Sequence, residues 1–472
     1  MQETKSVRVR FAPSPTGYLH VGGARTAIYN YLFAKATGGT FYLRIEDTDR
    51  KRYNEDALKD LLRDLKWLGL NWNEGPEIGG EYGPYFQSER LDIYAKASQQ
   101  LIDSGNAYYC FCTEERLQTL EHGYDRHCRD LPLDEAKKRI EAGEKFVVRF
   151  KTPLDGVTKF SDLIRGDIET PNKDLDDLVL LKRDKFPTYH LASVADDHYM
   201  QTSHVLRGDE WISSTPKHIL LYNALEWEAP VFCHLPVILA PGGGKLSKRK
   251  GAASVGDFRD LGYLPHTLVN FLSLLGWSPG DDREVMSLKE MVEAFSLERI
   301  HPKAVAFDEK KLEWMNGMHI RTLPDSHFAE ELKTLYPNET DEGKFLKVAA
   351  LLKPRLKFTN ELPAMSNYFF ERPQKIEDEK AYAKYWTEQS PEHIGLVAAE
   401  LEKIAESDFN IKNIEAAFMD VCEKSKIKLG ALAQPVRLAV SGVGAGPGLW
   451  EILECLGKEE CICRIEMASS KC

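Results

Sequence analysis

Two short segments of this chain contain residue types that bind phosphate. The first runs from Arg10 to Gly23, and its His20, Gly22 and Gly23 lie where a strand-like alternation changes into a helix-like run. Glycines at such a turn let a phosphate approach the backbone, and a helix N-terminus adds free N–H groups and partial positive charge. The second segment, Lys245–Arg249, carries cations directly after a glycine triplet. In this order the two segments predict an enzyme that activates a carboxylic acid with ATP, although each alone could be an ordinary turn or a solvated loop.

The elements around the first segment predict a parallel sheet covered by helices. Residues 7–11 alternate as a strand, Ala24–Ala36 has the apolar spacing of a helix, and Phe41–Glu46 has the pattern of a second strand. Asn54 and Ser88 are each expected to cap a further helix. Because strands that alternate with helices form parallel sheets, we expect an α/β fold here.

The rest of the chain divides by pattern. Residues 106–185 lose the alternation and have the character of an insertion between the two halves of a nucleotide-binding fold. The α/β pattern resumes at Pro187 and reaches a strand at Val231–Ala240, directly before the second phosphate-binding segment. Ser287 begins a capping box. Residues 324–472 are mostly helical by pattern.

A glycine-rich stretch, Val440–Gly448, follows a strand-like run that begins at Val436, the first strand pattern expected after Phe258. Its spacing departs from the dinucleotide-binding fingerprint, because Pro447 or Leu449 stands where the third glycine belongs. We therefore expect a turn between two C-terminal elements.

The two phosphate-binding segments resemble the HIGH and KMSKS motifs of class I aminoacyl-tRNA synthetases. His-Val-Gly-Gly at residues 20–23 corresponds to the first motif, and Lys-Leu-Ser-Lys-Arg at residues 245–249 corresponds to the second. The stretches that resemble the glutamyl-tRNA synthetase family in particular are Arg10–Gly23, Leu43–Asp49, Pro187–His190, His204–Arg207 and Lys245–Gly251. The resemblance extends from residue 7 to residue 320, approximately, and more thinly to the end.

This resemblance implies an α/β architecture with a Rossmann-type class I synthetase catalytic domain, an inserted acceptor-binding domain and all-α C-terminal domains. The implied domains are residues 1–105 and 186–256 for the two halves of the catalytic domain, 106–185 for the acceptor-end insertion, 257–323 for a stem-contacting helical domain, and 324–472 for an α-helical anticodon-binding domain.

The resemblance also implies a glutamate–tRNA ligase. ATP with Mg²⁺ forms glutamyl adenylate, and the terminal ribose of tRNA(Glu) then takes the glutamate. The reaction needs anionic oxygens to be held and partly neutralised, and it needs no nucleophilic side chain. The implied catalytic residues are His20, Lys245 and Lys248. The implied ATP-binding residues are His20, Gly22, Gly23, Glu210, Lys245, Leu246, Ser247, Lys248 and Arg249.

Glutamate carries two carboxylates and one ammonium, so a buried pocket for it needs donors for the first two and an acceptor for the third. By resemblance, the pocket residues are Arg10 at the side-chain carboxylate, Glu46 at the ammonium, Ser14 and Arg207 orienting the substrate, Tyr189 along the wall, and Ser193. Ser193 stands where similar enzymes often carry Asn, and its reach is shorter. From the residues alone, Arg10 could equally be an exposed strand residue.

The implied tRNA contacts are Asp47, Asp49, Trp211 and Arg355. The two aspartates could equally be turn-forming residues. In similar enzymes that reject tRNA(Gln), an Arg near position 355 recognises the third anticodon base. Lys353 and Lys357 are alternatives for that role, and a phosphate contact on a solvated helix is the alternative role for Arg355.

A candidate zinc set lies in the insertion. It consists of Cys110, Cys112, Cys128 and Asp130. Some similar enzymes bind zinc here with three Cys and one His, whereas this chain has Asp in the last place, a less typical ligand for a structural site. The alternative is a knuckle of the same shape without metal.

Composition sets few limits on function. The net charge of −11 neither suggests nor excludes a tRNA partner, because cations can cluster on an acidic protein. With no secretion-signal or membrane-span pattern and nine scattered cysteines, we expect a cytoplasmic protein with reduced thiols that does not span a membrane. We expect it to be a monomer.

Four related functions compete with the ligase. A glutaminyl synthetase typically ends in β-barrels, which the helical C-terminal pattern disfavours. A shorter glutamyl-queuosine enzyme lacks the anticodon domain. A non-discriminating synthetase would charge tRNA(Gln) as well, and a non-catalytic tRNA-binding paralogue would be expected to lose His20, Lys245 or Lys248, which are all present.

Overall fold

The computed structural model describes residues 6–121, 123–244 and 254–470. Two units pack separately: an α/β unit, Met1–Asp260 with Pro265–Glu309, and a helical unit, Leu261–Leu264 with Lys310–Cys472. The phosphate-binding segment Lys245–Arg249 lies outside the described residues. Within them, no helix has the length and apolar character needed to cross a membrane.

The predicted strand–helix–strand start of the chain is confirmed. It consists of β1 (Arg8–Phe11), α1 (Val21–Thr37) and β2 (Thr40–Leu43). The two strands are parallel, with Arg8 opposite Thr40. The apolar face of α1 is buried, and the helix ends at Gly38. The left-handed φ of 66° at Gly38 lets the N–H of Gly39 donate to the Ala34 carbonyl at 2.7 Å.

A second sheet, of four mostly parallel strands, carries the other half of the fold. The strands are β5 (Val157–Asp162), β6 (Gly166–Pro171), β8 (His204–Gly208) and β9 (Val231–Leu235), in the order β6-β5-β9-β8. Strand β8 runs beside β1, since the Ser203 N–H donates to the Arg8 carbonyl at 2.9 Å. Strand β9 is parallel to both of its neighbours, and β6 alone in this sheet is antiparallel. The predicted Rossmann-type fold is confirmed, although this sheet is mixed and not wholly parallel as the sequence pattern predicts.

The predicted strand Val231–Ala240 is broken in two. Strand β9 stops before Pro236, which has no N–H for a ladder bond, and a short strand β10 (Ile238–Leu239) follows. It pairs in parallel with β11 (Val305–Ala306), a strand that the sequence analysis missed because two residues carry too little pattern.

The insertion contains a small antiparallel sheet. Its strands are β3 (Ala107–Cys110), β4 (Val147–Phe150) and β7 (Val179–Leu181), in the order β3-β4-β7. The remaining helices of the α/β unit are α2 (Glu55–Trp67), α3 (Leu91–Asp103), α4 (Glu114–Gln118), α5 (Leu133–Glu141), α6 (Tyr189–Tyr199), α7 (Thr215–Ala224), α8 (Val255–Asp260), α9 (Pro265–Ser273) and α10 (Leu288–Ala294).

The capping predictions have mixed outcomes. The Asn54 side chain accepts from the Asp56 and Ala57 amides at the start of α2, as expected. Ser287 forms the predicted capping box at α10. The Ser88 cap is wrong, because α3 begins at Leu91 without a side-chain cap and Ser88 instead bonds the Asp47 carboxylate.

The helical unit has no strand among its described residues. Its helices are α11 (Glu309–Thr322), α12 (Asp325–Leu335), α13 (Glu342–Leu352), α14 (Leu362–Phe370), α15 (Glu379–Tyr385), α16 (Ser390–Leu401), α17 (Ile411–Ser425), α18 (Leu429–Ser441), α19 (Leu449–Leu456) and α20 (Lys458–Ser469). The strand expected from Val436 is wrong, because that run lies inside α18. The glycine-rich stretch forms the predicted turn, which begins at Gly442 with a φ of 75°.

Candidate active site

A cavity of about 1360 Å³ opens in the α/β unit where β1, β8 and the start of α1 meet. Most of the predicted active-site residues line it. They are Arg10, Ser14, His20, Gly22, Gly23, Glu46, Asp49, Tyr189, Arg207, Glu210 and Trp211. The structure thus brings together side chains from segments that are distant in the sequence.

His20 caps the helix that begins at the cavity. Its Nδ1 accepts hydrogen bonds from the Gly22 and Gly23 amides at 3.1 and 3.2 Å. Because Nδ1 is an acceptor, a neutral imidazole carries its proton on Nε2. A Cβ on Gly22 would lie 3.0 Å from the His20 ring, so this position favours glycine. The two amides expected to meet phosphate are therefore already bonded to His20 here.

Arg10 lies in a network of buried charges. Its Nε and Nη2 donate to the two carboxylate oxygens of Asp197 at 2.9 and 3.1 Å. Arg44 donates to Asp197 at 2.8 Å and to Glu46 at 3.1 Å. We call Arg10, Arg44, Glu46 and Asp197 the buried ion network. The alternative of an exposed strand residue is wrong for Arg10, whose exposed fraction is 4%.

The network fixes the charge states of its members. Burial alone would raise the pKa of Asp197, but the Arg10 and Arg44 charges lower it to about 2. Burial raises the pKa of Glu46, and the guanidinium groups of Arg44 and Arg10 oppose that shift. Arg10 spends only some of its N–H donors on Asp197 while it lines the cavity, so it can also bind an anion there.

Arg207 and two aromatic side chains form another wall of the cavity. Arg207 Nη1 donates to the Tyr189 hydroxyl at 2.9 Å. The Tyr189 ring lies 4.4 Å from the Trp211 ring, centroid to centroid. The pair offers an apolar face beside a fixed cation.

Other predicted residues are placed differently. Ser193 is buried, does not line the cavity, and its hydroxyl has no hydrogen-bond partner among the described residues. The Asp47 carboxylate is buried and bonded to Ser88 and Arg50, which favours the turn-forming role. Asp49 is partly exposed, lines the cavity and pairs with Arg52 at 2.6 Å.

Three of the four predicted zinc ligands come together in the insertion. The sulfurs of Cys110, Cys112 and Cys128 are buried, and they all lie within 4.8 Å of one another. Asp130 is not brought into this group, since its side chain is 91% exposed and pairs with Lys151. The Tyr124 hydroxyl lies 3.3 Å from the Cys110 sulfur.

Comparison with known proteins agrees with this geometry. The profile of the family described as tRNA synthetases class I (E and Q), catalytic domain, matches residues 6–314. Glutamate–tRNA ligase 2 of Caldicellulosiruptor saccharolyticus is 44% identical, covering 98% of this chain and 99% of that protein. Glutamate–tRNA ligase 1 of Syntrophomonas wolfei is 45% identical, with 98% and 96% covered.

The chain belongs to the class I tRNA synthetases for glutamate and glutamine. A crystal structure of a glutamate tRNA ligase from Elizabethkingia meningosepticum, in complex with its amino acid, matches it with a TM-score of 0.91 and 37% identity over 99% of both chains. The profile of an anticodon binding domain matches residues 327–469, all within the helical unit.

The anticodon-binding region of this synthetase contains Arg355. Arg355 is exposed in the 3₁₀ turn Lys353–Arg355 that follows α13. The two alternatives carry carboxylate partners, since Lys353 pairs with Asp325 and Lys357 with Glu313. No such pair involves Arg355 within the described part of the chain, so it is the one of these three cations without a carboxylate partner there.

Sequence reasoning missed three residues that contact the predicted ones. Arg44 and Asp197 belong to the buried ion network, and the Tyr124 hydroxyl contacts the Cys110 sulfur. Arg44 lies within the quoted stretch Leu43–Asp49, and Asp197 follows a second aspartate in a helix whose neighbours are apolar. A charge in such a run is itself an indication of a buried ion pair.

Proposed function

We propose that this synthetase attaches L-glutamate to tRNA(Glu), and that ATP and glutamate react in the cavity of the α/β unit. The observation that carries the proposal is the near-complete coverage of relatives named glutamate–tRNA ligase, combined with a cavity lined by the predicted residues. Glutamyl adenylate forms first, and the terminal ribose of the tRNA then accepts the glutamate.

ATP binds at the start of α1. His20 carries its proton on Nε2, and this N–H can donate a hydrogen bond to a phosphate oxygen. Lys245 and Lys248 neutralise the departing pyrophosphate. Within the described ranges, only the Cys110, Cys112 and Cys128 sulfurs form a group of three or more His, Cys, Asp or Glu ligand atoms close enough together to hold a metal ion. Mg²⁺ therefore fits as an ion bound mainly by the ATP phosphates, as it usually is.

Glutamate binds between the buried ion network and Tyr189. Arg10 faces the side-chain carboxylate, because its planar fork suits two charge-assisted bonds. Glu46 accepts from the ammonium. Glutamine would place amide N–H donors against guanidinium donors, so the same pocket selects the acid over the amide.

The helical unit recognises the tRNA anticodon, and Arg355 reads its third base. Cytosine offers O2 and N3 acceptors on its pairing edge, whereas guanine presents donors that oppose a guanidinium. A non-discriminating enzyme is the second candidate, and it differs only in this contact. The described helical unit contains no β-barrel strands, which argues against a glutaminyl synthetase.

The five predicted domains, with the boundaries given above, remain our proposal for the division of labour. We also propose that the protein acts as a cytoplasmic monomer. In that division residues 106–185 hold the acceptor end of the tRNA. Asp49 and Trp211, from outside this range, line the cavity and can contact the terminal nucleotide.

We extend the proposal to a structural zinc ion in the insertion. With Zn–S bonds of about 2.3 Å, tetrahedral geometry places two sulfurs about 3.8 Å apart, and the Cys112 and Cys128 sulfurs are 3.6 Å apart. Cys110, Cys112 and Cys128 supply three thiolates, and the Tyr124 phenol supplies an oxygen. A zinc ion bound by these four side chains would hold this part of the insertion together.

Metal analysis of the wild type and three variants tests the zinc proposal. The wild type should contain zinc, and Cys112→Ser should lose it, because a structural site needs its full ligand set. Tyr124→Phe should bind zinc more weakly, whereas Asp130→Ala should keep it. Wild-type protein purified without chelator and free of zinc would contradict the proposal.

ATP–pyrophosphate exchange tests the main function. Exchange should require glutamate and tRNA(Glu), and glutamine should not replace glutamate. Lys248→Ala should slow charging by about 10²-fold, the effect of losing one transition-state donor, while tRNA affinity stays nearly constant. Lys250→Ala, directly after the Lys245–Arg249 segment, is the control and should cause a smaller loss. Equal exchange with glutamine, or none with glutamate and tRNA present, would refute the assignment.

A further inference from the structure

A row of buried polar side chains runs from Arg207, in the wall of the cavity, to two residues that the chemistry above does not use. Arg207 and His234 are opposite each other on the parallel strands β8 and β9. Asp162 lies at the end of β5, the neighbour of β9 on its other side. All three are buried, with exposed fractions of 6%, 0% and 4%.

The hydrogen bonds in this row have only one consistent direction. Asp162 Oδ2 lies 2.6 Å from His234 Nδ1, and His234 Nε2 lies 3.0 Å from Arg207 Nε. Arg207 Nε–H can only donate, so His234 Nε2 carries no proton. The ionised carboxylate can only accept, so the proton of the imidazole is on Nδ1. Burial also lowers the pKa of His234, which keeps the ring neutral.

The same direction continues to the substrate side. Arg207 Nη1 donates to the Tyr189 hydroxyl at 2.9 Å, and its Nη2 donates to Thr215 at 2.8 Å. A hydroxyl group has one proton. Since the Tyr189 oxygen accepts from Arg207, its own proton points away from Arg207, and Tyr189 lines the cavity.

We propose that Asp162 and His234 are positioning residues for the amino-acid pocket. By fixing Arg207 they leave the Tyr189 hydroxyl one direction for its proton, which is toward the bound glutamate. A carboxylate accepts hydrogen bonds only, so a hydroxyl held as a donor suits it. This inference rests on the proposed function, because it takes glutamate as the occupant of the cavity.

Asp162→Asn tests the proposal with little change in shape. Asp162 Oδ1 accepts from the Ile164 and Arg165 amides at 3.0 and 2.9 Å. If the Asn oxygen keeps those bonds, its NH₂ group loses the bond that Oδ2 accepts from the His234 amide at 3.1 Å, and it faces His234 Nδ1 and forces the other tautomer. Nε2–H would then oppose Arg207 Nε–H. The KM for glutamate should rise about tenfold or more, the effect of one lost bond to a charged group, while the KM for ATP stays nearly constant.

Two further variants separate positioning from stability. Cys233→Ala removes a buried side chain from the same strand, next to His234, and should lower the Tm without changing the KM for glutamate. His234→Gln retains an amide oxygen that can accept from Arg207, so its KM should lie between those of the wild type and His234→Ala.

A measurement that does not use activity decides the tautomer. In ¹H–¹⁵N spectra of histidine-labelled protein, His234 should be neutral and protonated on Nδ1, with its signals assigned by their loss in His234→Gln. A protonated ring or an Nε2–H tautomer would overturn the proposal, as would a folded Asp162→Asn enzyme with wild-type KM for glutamate. A wild type that attaches no glutamate to tRNA would refute the proposed function. The spectra would still decide whether Asp162 and His234 hold Arg207 by the proposed hydrogen bonds.

Discussion

The two units of this synthetase place their functional charges in opposite ways. The α/β unit buries charged groups beside its cavity, among them the buried ion network, Asp196 and Arg207. In the described part of the helical unit, Arg464 is the one buried charged side chain, and the large core around it is apolar. Arg355, the proposed base-reading residue, lies exposed on the outside.

This difference separates two ways of recognising a ligand. A small anionic amino acid is held by charges that are already desolvated and oriented, so those charges also contribute to folding. An anticodon loop is recognised on a surface, where a cation can be changed without cost to the core. We therefore expect function and stability to be coupled in the α/β unit and separable in the helical unit.

The largest effect is expected for Asp197→Ala. This change leaves Arg10 buried without its carboxylate partner, while Arg44 keeps Glu46 and the more distant Asp196 at 3.7 Å. Removing one member of a buried ion pair costs about 3–5 kcal/mol. The urea unfolding midpoint should fall markedly, and glutamate charging should be lost. One variant would therefore lose both stability and activity, which is the coupling that we expect in the α/β unit.

Asp281→Ala is the matched control for that variant. Asp281 pairs with Arg283 in the same unit, but both side chains are about half exposed. Exposed pairs contribute little, about 0–1 kcal/mol. If Asp197→Ala were as stable and as active as Asp281→Ala, the buried ion network would not have the role given to it here.

A smaller effect, on selectivity alone, is expected for Arg355→Gln in the helical unit. If Arg355 reads the third anticodon base, the preference for tRNA(Glu) over tRNA(Gln) should narrow by ~1–3 kcal/mol, the usual value of one bidentate base contact. The unfolding midpoint should not change, because Arg355 is exposed. Charging rates on both tRNAs give the measurement.

Lys357→Gln is the control, since Lys357 is exposed in the same segment but pairs with Glu313. It should leave the ratio of the two charging rates unchanged. An equal loss on both tRNAs in Arg355→Gln would identify a phosphate contact instead.

Local patterns in the sequence were sufficient for much of the fold. Asn54 and Ser287 were predicted as caps because each needs only its own helix turn to be recognised. The run from Val436 was misread because a short apolar run fits a strand and a buried helix equally well. Its packing inside the helical core decided the outcome, and the sequence does not display that packing.

The residues of the candidate site also divide into those that local sequence patterns predict and those that they do not. Residues in continuous motifs, such as His20 and Arg207, were found from the sequence and line the cavity. Asp197 was missed because its partner Arg10 is 187 positions away, and Tyr124 was missed because it lies in an irregular loop. Such contacts depend on the folded topology rather than on spacing.

The smallest effect is expected for Glu460→Ala, which removes the carboxylate partner of Arg464, the one buried charged side chain of the described helical unit. Hydrogen bonds from Arg372, and then from Arg464, lower the pKa of Glu460 to about 2. Its contribution is therefore present above the ordinary pKa of about 4.3 and is lost as the pH falls toward 2. The loss at neutral pH should be only about 1 kcal/mol, because Arg372 is half exposed and Arg464 keeps its bonds to the Tyr368 and Val440 carbonyls. Hydrogen exchange in α20 should show this loss at neutral pH and less of it at pH 2, with tRNA charging unchanged. A loss as large as that of Asp197→Ala, or one that grows at low pH, would remove the distinction between the two units.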